Sequence, residues 1–172
     1  MELKLIFEDF VLRDKIMEIR ERLKREGIEI KYYEDRYKDS FSKLMEDDFQ
    51  WWWYGEYGPN LERDKPLPVL IAVDEHKDRV VGFIGFVAVG ANKRAGFSPG
   101  VDPEYRKRGI GKVLVNLWAR EVKEMGAEES LISTGIENYP AQRIYFDMGY
   151  EKLGEFCCEL VKRFEERSDK AN

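Results

Sequence analysis

Apolar and polar positions along this chain recur with two different spacings, which predict seven strands and four helices. Helical spacing marks one helix from Asp9 to a stop at Gly27, one from about Asp35 to Phe49, one from Gly111 to Gly126, and a short one from Asn138 to Gly149. Short apolar runs bounded by turn residues mark the strands Leu3–Phe7, Val69–Val73, Val80–Val89, Ala95–Val101, Leu131–Ile136, Tyr150–Gly154 and Phe156–Phe164. No strand is predicted between the first two helices.

The order of these elements favours one folded unit. The chain has 172 residues, enough for one domain with a sizeable core, and it shows no internal repeat or low-complexity tract. We therefore expect a single domain over residues 1–164, followed by a charged C-terminal tail at residues 165–172 that frays. The three strands from Val69 to Val101 are joined by short polar turns and predict an antiparallel meander.

The composition is that of a globular protein with an unusually charged surface. Hydrophobic residues make up 43% and the formal net charge is −5, so no basic face for general nucleic-acid binding is expected. Charged residues make up 37%, which is well above the usual fraction and favours a thermophilic source. No apolar run is long enough to span a membrane and no signal peptide is evident, so a cytoplasmic location is expected. The adjacent Cys157 and Cys158 are expected to be reduced thiols.

The first concentration of chemistry is the run Arg106-Lys107-Arg108-Gly109-Ile110-Gly111, at the start of the third predicted helix. The first backbone N–H groups of a helix have no partner within it, and the helix dipole adds partial positive charge there. With two glycines and three basic residues, the run predicts a phosphate or pyrophosphate site. It does not fit a dinucleotide-binding fingerprint, which would need glycine at Leu114. A P-loop would need glycine at Arg106 and Ser or Thr at Val113.

A second motif lies downstream, from Asn138 to Tyr150. It reads Asn-x-x-Ala-x-x-x-Tyr-x-x-x-Gly-aromatic. Together with Val101–Arg106 and the glycine run, it makes the chain resemble the GNAT superfamily of acetyl-coenzyme A-dependent N-acetyltransferases over about Val69 to Phe164. The resemblance implies an α+β fold in three layers, α/β/α, with a mixed, mostly antiparallel sheet of seven strands and about four helices. It also implies acetyl-coenzyme A as co-substrate and no metal.

The resemblance assigns cofactor binding to the residues of both motifs. The loop would hold the coenzyme A pyrophosphate on backbone N–H groups, with added charge from the basic side chains. A bulge at Pro99-Gly100 would splay the strand ending at Val101 away from Leu131–Ile136, and the pantetheine arm would enter that gap. The implied cofactor-binding residues are Val101, Arg106, Lys107, Arg108, Gly109, Ile110, Gly111, Lys112, Asn138 and Tyr145.

The resemblance also identifies candidate catalytic groups. Tyr145 matches the position of the acid that protonates the departing thiolate, and a phenol with a reference pKa of about 10 is protonated at neutral pH. Its helical spacing with Ala141 is also that of an aromatic residue in the core. The strand Ala95–Val101 contains no acidic residue that could serve as general base. Glu137 is the working candidate, and Glu56, Asp102 and a water relay remain open. His76, the single histidine, lies in a polar turn and is expected to be a surface residue.

The aromatic segment Trp51–Tyr57 falls where the family places its acceptor pocket. Trp52, Trp53 and Tyr54 are therefore candidates for substrate binding, although packing in the core would explain the tryptophans equally well. The expected function is direct transfer of an acetyl group from acetyl-coenzyme A to a primary amine in a ternary complex. The amine would belong to a small molecule, a peptide or a protein. Because dimers are common in the family, a homodimer is also open.

Two other classes of function are compatible with the sequence. The missing strand acid is consistent with a non-catalytic module that binds acyl-coenzyme A without turning it over. A regulatory protein that binds neither cofactor nor amine is the third alternative. Thiol release from acetyl-coenzyme A and the effect of coenzyme A on the melting temperature distinguish the three.

Overall fold

In a computed structural model that describes residues 2–6, 14–48, 69–87 and 94–154, seven strands form one sheet. The strands are β1 (Glu2–Ile6), β2 (Ile28–Tyr32), β3 (Leu70–Asp74), β4 (Arg79–Val87), β5 (Arg94–Val101), β6 (Glu129–Ser133) and β7 (Glu151–Gly154). The helices are α1 (Asp14–Arg25), α2 (Lys38–Asp48), α3 (Ile110–Glu124) and α4 (Tyr139–Asp147). Short 3₁₀ turns over Asp35–Tyr37 and Pro103–Tyr105 precede α2 and α3.

The strand order is β2-β3-β4-β5-β6-β1-β7, and every neighbouring pair except one is antiparallel. The exception is β5 with β6, which α3 joins as a crossover of the kind that parallel strands require. Their pairing runs from Arg94 opposite Glu129 to Gly96 opposite Leu131 and ends there. β5 continues to Val101 beyond that point, so a gap opens between the two strands towards their C-terminal ends.

Helices cover both faces of the sheet. Successive residues of a strand point to opposite faces, and in β3 Leu70 and Ala72 belong to one core cluster while Ile71 and Val73 belong to another. The first cluster holds the buried residues of α1, α3 and α4, including Trp118, and the second holds those of α2. The expected three-layer α/β/α arrangement with a mixed, mostly antiparallel sheet is therefore confirmed.

β2 is a strand that the hydrophobic pattern does not predict. Ile28 and Ile30 are buried in it, but five residues directly after a helix stop give too short an alternation to be recognised. The predicted strand Phe156–Phe164 lies outside the described residues. The sheet of the described residues has seven strands, but one of them is the unpredicted β2. Because the seventh predicted strand is not described, the predicted set of seven strands stays untested.

The predicted helices are present wherever the structure describes them. α3 ends two residues before Gly126 and α4 ends two residues before Gly149, as the glycine positions predict. The described part of the helix predicted from Asp35 to Phe49 consists of the first 3₁₀ turn and α2. β6 begins two residues before the predicted Leu131 and ends at Ser133, because it is aligned by its pairing with β1.

Candidate functional site

The gap between β5 and β6 forms without the predicted bulge at Pro99-Gly100. β5 pairs with β4 in continuous register, from Val101 opposite Gly82 to Gly96 opposite Val87, so that expectation is wrong. Proline fits here for another reason. The backbone polar groups of Pro99 and Val101 are on the same edge of β5, the edge that faces β6. Because proline has no N–H, Pro99 lacks a hydrogen-bond donor that a strand on that edge would otherwise use. The proline thus favours the end of β5–β6 pairing without disturbing β4.

The backbone of Val101 faces the gap. The amide of Asp102 donates to the carbonyl of Val81 at 3.0 Å. Because neighbouring residues of a strand point their polar groups to opposite sides, the N–H and C=O of Val101 point away from β4. Arg106 Nε donates to that carbonyl at 3.0 Å. The N–H of Val101 is therefore placed on the side where an extended ligand could pair with it.

The start of α3 has the geometry of an anion site. Gly109 is the N-terminal cap and has a φ of +92°, a conformation that favours glycine, and no side chain caps the helix. The first amide bonded within the helix is that of Val113, which donates to the carbonyl of Gly109 at 3.1 Å. The amides of Ile110, Gly111 and Lys112 therefore have no acceptor within the helix.

The two glycines of the loop differ in how much room surrounds them: Gly109 is tightly enclosed, whereas a Cβ at Gly111 would make ordinary van der Waals contacts. A Cβ atom at Gly109 would lie 2.6 Å from Ile19 Cγ2 in α1. Arg22, also in α1, donates from Nη2 to the carbonyl of Arg108 at 2.6 Å. A Cβ atom at Gly111 would lie 3.4 Å from Ile144 Cδ1 in α4 and 3.8 Å from Val101 Cγ2. The start of α3 thus meets the end of β5 and the inner side of α4 at one junction.

The basic side chains of the loop differ in their contacts. Arg106, Lys107 and Arg108 are exposed. The Arg108 guanidinium lies over the ring of Tyr105, 5.0 Å from its centroid. Lys112 Nζ lies 2.6 Å from a carboxylate oxygen of Asp147 and so connects α3 to α4. The charge of Lys112 is therefore partly balanced by a neighbour within the protein.

A polar cluster in the β3–β4 hairpin contacts Tyr105, the residue that precedes the glycine loop. Neither sequence motif predicts this cluster. The buried carboxylate of Asp74 accepts from the Tyr105 hydroxyl at 2.7 Å and from the amide of His76 at 3.0 Å. Lys77 Nζ donates to the Tyr105 hydroxyl at 2.8 Å. Burial opposes ionisation of Asp74, but the Tyr105 hydroxyl and the turn amides outweigh it and hold the pKa below its usual value. His76 itself is exposed, as predicted.

The Asp74→Asn variant is expected to lose about 1–3 kcal/mol of unfolding free energy at pH 7, because the amide nitrogen offers Tyr105 a donor where it needs an acceptor. The folded-state pKa of Asp74 is depressed, so its stabilisation is present above the unfolded pKa of 3.8 and is lost as the pH falls through the folded value. The difference between wild type and variant should therefore shrink on acidification. Urea unfolding at neutral and at acid pH measures the difference in unfolding free energy between wild type and Asp74→Asn. An equal difference at both pH values would contradict the predicted role of the ionised Asp74.

Asn138 and its neighbours connect the end of β6 to α4. Asn138 caps α4 by accepting from the amide of Ala141 at 3.4 Å, and its side-chain nitrogen donates to Thr134 Oγ1 at 3.2 Å. Gln142 Nε2 donates to the carbonyls of Gly135 at 2.9 Å and Ile136 at 2.8 Å. The loop between β6 and α4 is therefore held in a defined conformation beside the gap.

The candidate catalytic residues lie in different environments. Tyr145 in α4 is 3% exposed, and burial raises its pKa above the usual value for a phenol. Glu137 is exposed in the loop before α4. Asp102 is 1% exposed, and its carboxylate accepts from Arg79 Nη2 at 2.5 Å and from the amide of Glu104 at 2.9 Å. Asp102 thus closes the turn before the loop and is occupied in that role.

The remaining candidates of the sequence lie outside the described residues. These are Trp52, Trp53 and Tyr54, together with Glu56. Among the residues that are described, no cluster of three His, Cys, Asp or Glu side chains is placed to hold a metal ion. Over the same ranges, none of the helices combines the length and the apolar character needed to cross a membrane.

Comparison with known proteins relates both the sequence and the fold to acetyltransferases. The sequence model of the acetyltransferase (GNAT) family matches residues 26–150, which include the glycine loop and the Asn138 motif. N-acetyltransferase 8 of Homo sapiens is 34% identical over a 92-residue alignment that covers 49% of this chain and 40% of the human protein. The chain thus matches about two fifths of the length of its curated relatives.

Solved structures share the fold, and three of them illustrate the likeness. The glucosamine N-acetyltransferase region of a fungal multi-domain β-N-acetylglucosaminidase has a TM-score of 0.70 at 19% identity, over 88% of this chain and 19% of that one. The NatC complex bound to Gag peptide and CoA gives 0.62 at 24% identity, over 74% and 87%. AAC(6′)-Iy with the bisubstrate analogue CoA-S-monomethyl-acetylneamine gives 0.58 at 19% identity, over 76% and 95%.

Proposed function

The chain belongs to the acetyltransferase (GNAT) family, and on that basis we propose that it transfers an acetyl group from acetyl-coenzyme A to a primary amine. One observation carries the proposal: the amides at the start of α3 that have no acceptor within the helix lie at the open end of the β5–β6 gap. Gly111 approaches Val101 and Ile144 there. Such a junction suits a ligand with an anionic group at one end and an extended arm with amides at the other, as coenzyme A has.

In the proposed complex, the pyrophosphate accepts from the amides of Ile110, Gly111 and Lys112. The exposed side chains of Arg106, Lys107 and Arg108 surround it with positive charge, while Lys112 contributes through its amide because its ammonium is paired with Asp147. The pantetheine arm lies in the gap and passes beside Asn138, so that the thioester carbonyl at its end reaches the N–H of Val101. AAC(6′)-Iy and NatC are solved with a coenzyme A analogue and with coenzyme A, which supports this donor.

The proposed reaction forms one C–N bond and breaks one C–S bond. The lone pair of the unprotonated amine attacks the thioester carbonyl carbon, and the N–H of Val101 stabilises the oxyanion. The C–S bond then breaks, and Tyr145 gives its proton to the departing thiolate. The amine proton passes to Glu137 or through water to solvent, and a proton from solvent restores the Tyr145 phenol. The bound geometry supplies much of the rate, since it holds amine and thioester together.

The acceptor is proposed to be an amine on a small molecule, a peptide or a protein. AAC(6′)-Iy was solved with an analogue that includes acetylneamine, and NatC with a peptide, so the same fold accommodates both kinds of acceptor. Trp52, Trp53 and Tyr54 stay candidates for lining the acceptor site. Their rigid aromatic rings would bury the apolar part of an acceptor at a low entropic cost.

Release of free thiol from acetyl-coenzyme A tests the proposal. We expect turnover with at least one member of a panel that contains aminoglycosides, polyamines, amino acids and peptides with free α- and ε-amines. Coenzyme A should also raise the melting temperature, because it binds the folded state alone. Binding without turnover across the panel would instead support a non-catalytic module, which the absence of an acid on β5 favours. No rise in melting temperature would contradict both.

The rate should rise with pH as the acceptor amine loses its proton, and should not fall again below about pH 9. Burial raises the pKa of Tyr145, so the phenol keeps its proton, and its capacity to act as an acid, throughout that range. The measurement is kcat against pH at saturating acetyl-coenzyme A. A descending limb below pH 9 that is present in the wild type and absent in Tyr145→Phe would show that Tyr145 loses its proton in this range, and would contradict the raised pKa of Tyr145 rather than its acid role.

A further inference from the structure

The turn that ends α4 connects Tyr145, the candidate acid, to Tyr150, three residues beyond the helix. Gly149 has a φ of +92°, which glycine adopts without strain. Its amide donates to the carbonyl of Phe146 at 3.0 Å, and the amide of Tyr150 donates to the carbonyl of Tyr145 at 3.0 Å. This is a Schellman motif, in which the residue after the glycine usually packs on the residue five positions earlier. The backbone of Tyr150 is therefore fixed relative to that of Tyr145.

The side chains of the two tyrosines are also in contact. Their ring centroids lie 5.6 Å apart with an interplanar angle of 56°. Both residues are 3% exposed, so neither ring can move far without displacing core atoms. The ring of Tyr150 thus forms one wall of the space that holds the ring of Tyr145.

Tyr150 is anchored in turn to the sheet. Its hydroxyl shares a buried hydrogen bond of 2.7 Å with Ser130 Oγ in β6, and Ser130 is fully buried. Ser130 pairs with Leu5 of β1 and with Ala95 of β5, within the short stretch where β5 and β6 are still joined. The position of the Tyr150 ring is therefore fixed relative to the paired stretch of β5 and β6, beyond which the gap for the pantetheine arm opens.

We propose that Tyr150, anchored by Ser130, is a positioning residue that holds the ring of Tyr145 for proton donation to the departing thiolate. The proposal rests on the proposed acetyl transfer and extends it by two residues that neither sequence motif assigns a role. The buried hydroxyl pair adds little net stability. Its effect is geometric, since it links the helix that carries the acid to the strand that borders the cofactor gap.

Tyr150→Phe and Ser130→Ala test the proposal, because each removes one hydroxyl and leaves the surrounding packing nearly unchanged. We expect each variant to lower kcat by about tenfold, with the KM for acetyl-coenzyme A within about twofold, since small misplacements of a catalytic group reduce rate more than binding. In a Tyr145→Phe background, Tyr150→Phe should cause no further loss, because the group it positions is already gone.

Two further measurements separate positioning from general destabilisation. Tyr37→Phe serves as the matched control, since Tyr37 is equally buried, its hydroxyl accepts from Lys31 Nζ, and it belongs to the other core cluster. It should leave kcat unchanged. The ¹³C resonance of a ζ-labelled Tyr145 should shift or broaden in Tyr150→Phe and in Ser130→Ala, whether or not an acceptor is known, and should stay in place in Tyr37→Phe.

The outcomes distinguish this inference from the proposed function. If the wild type turns over and Tyr145→Phe is impaired, an unchanged kcat in Tyr150→Phe overturns the positioning role alone. Equal losses from Tyr150→Phe in the wild-type and Tyr145→Phe backgrounds overturn it too, because Tyr150 would then act independently of Tyr145. If no amine is acetylated, the proposed function fails. Independently of activity, a Tyr145 resonance that is unchanged in Tyr150→Phe and Ser130→Ala would overturn the positioning of Tyr145 by Tyr150.

Discussion

The Gly109→Glu variant is expected to weaken coenzyme A binding at least about a hundredfold, equivalent to about 2.8 kcal/mol. Three effects act together at this position. The φ of +92° is unfavourable for any residue with a Cβ. A Cβ would also lie 2.6 Å from Ile19 Cγ2, so α1 or the loop must shift. Finally, a carboxylate at the start of α3 would occupy the anion site and repel the pyrophosphate.

Two controls separate these effects in Gly109→Glu. Gly126 lies beyond the other end of α3 with a φ of +90°, and a Cβ there would meet no atom within 4 Å. Gly126→Glu therefore introduces the same charge and backbone strain away from the loop, and coenzyme A affinity should be unchanged. Gly109→Ala keeps the strain and the contact with Ile19 but adds no charge, so its affinity should be intermediate. Isothermal titration with coenzyme A measures all three, and wild-type affinity in Gly109→Glu would contradict the loop assignment.

The Tyr145→Phe variant is expected to lower kcat by about 10²-fold or more, as is usual for the loss of a general acid. Phenylalanine keeps the ring that packs against Tyr150 and removes the proton that the thiolate would receive. The Kd for coenzyme A should stay within about twofold, because the loop proposed to hold the pyrophosphate is untouched. The effect should therefore fall on the chemical step, which single-turnover measurement of thiol release resolves from cofactor binding.

Tyr139→Phe provides the control for Tyr145→Phe on the same helix. Tyr139 is the first residue of α4 and is 70% exposed, so loss of its hydroxyl should change neither kcat nor affinity. A less basic leaving thiolate should also depend less on proton donation by Tyr145. Thioester donors with a more acidic thiol should therefore show a smaller difference between wild type and Tyr145→Phe. Equal activity of wild type and Tyr145→Phe with acetyl-coenzyme A would remove Tyr145 from the acid role.

The parts of the site that are local in sequence could be predicted from it. The helix start at the glycine run and the helix stop at Gly149 depend on neighbouring residues. The structure begins α3 at Ile110, one residue before the predicted Gly111, and ends α4 two residues before Gly149. The capping of α4 by Asn138 is local in the same way. Each of these features is set by backbone groups within one turn of the chain, which is why residue type and spacing suffice.

The parts that depend on distant pairing could not be predicted in this way. Tyr105 and Asp74 are 31 positions apart and Ser130 and Tyr150 are 20 apart, and no spacing rule connects them. β2 was missed because it is stabilised as a strand mainly by its pairing with β3, and its own hydrophobic pattern is too short to indicate a strand. The bulge expected at Pro99 was wrong because the side of a strand that a proline faces depends on register, which the sequence does not display.

The position of β1 in the sheet has a consequence for how the domain assembles. β1 lies between β6 and β7, pairing Leu3 with Ile132 on one side and with Lys152 on the other. The ribosome therefore releases the first strand long before either of its neighbours exists, whereas the β2–β5 meander is complete by Val101. Closure of the sheet must wait until the polypeptide is translated beyond β7, and contacts of such high sequence separation make that step slow.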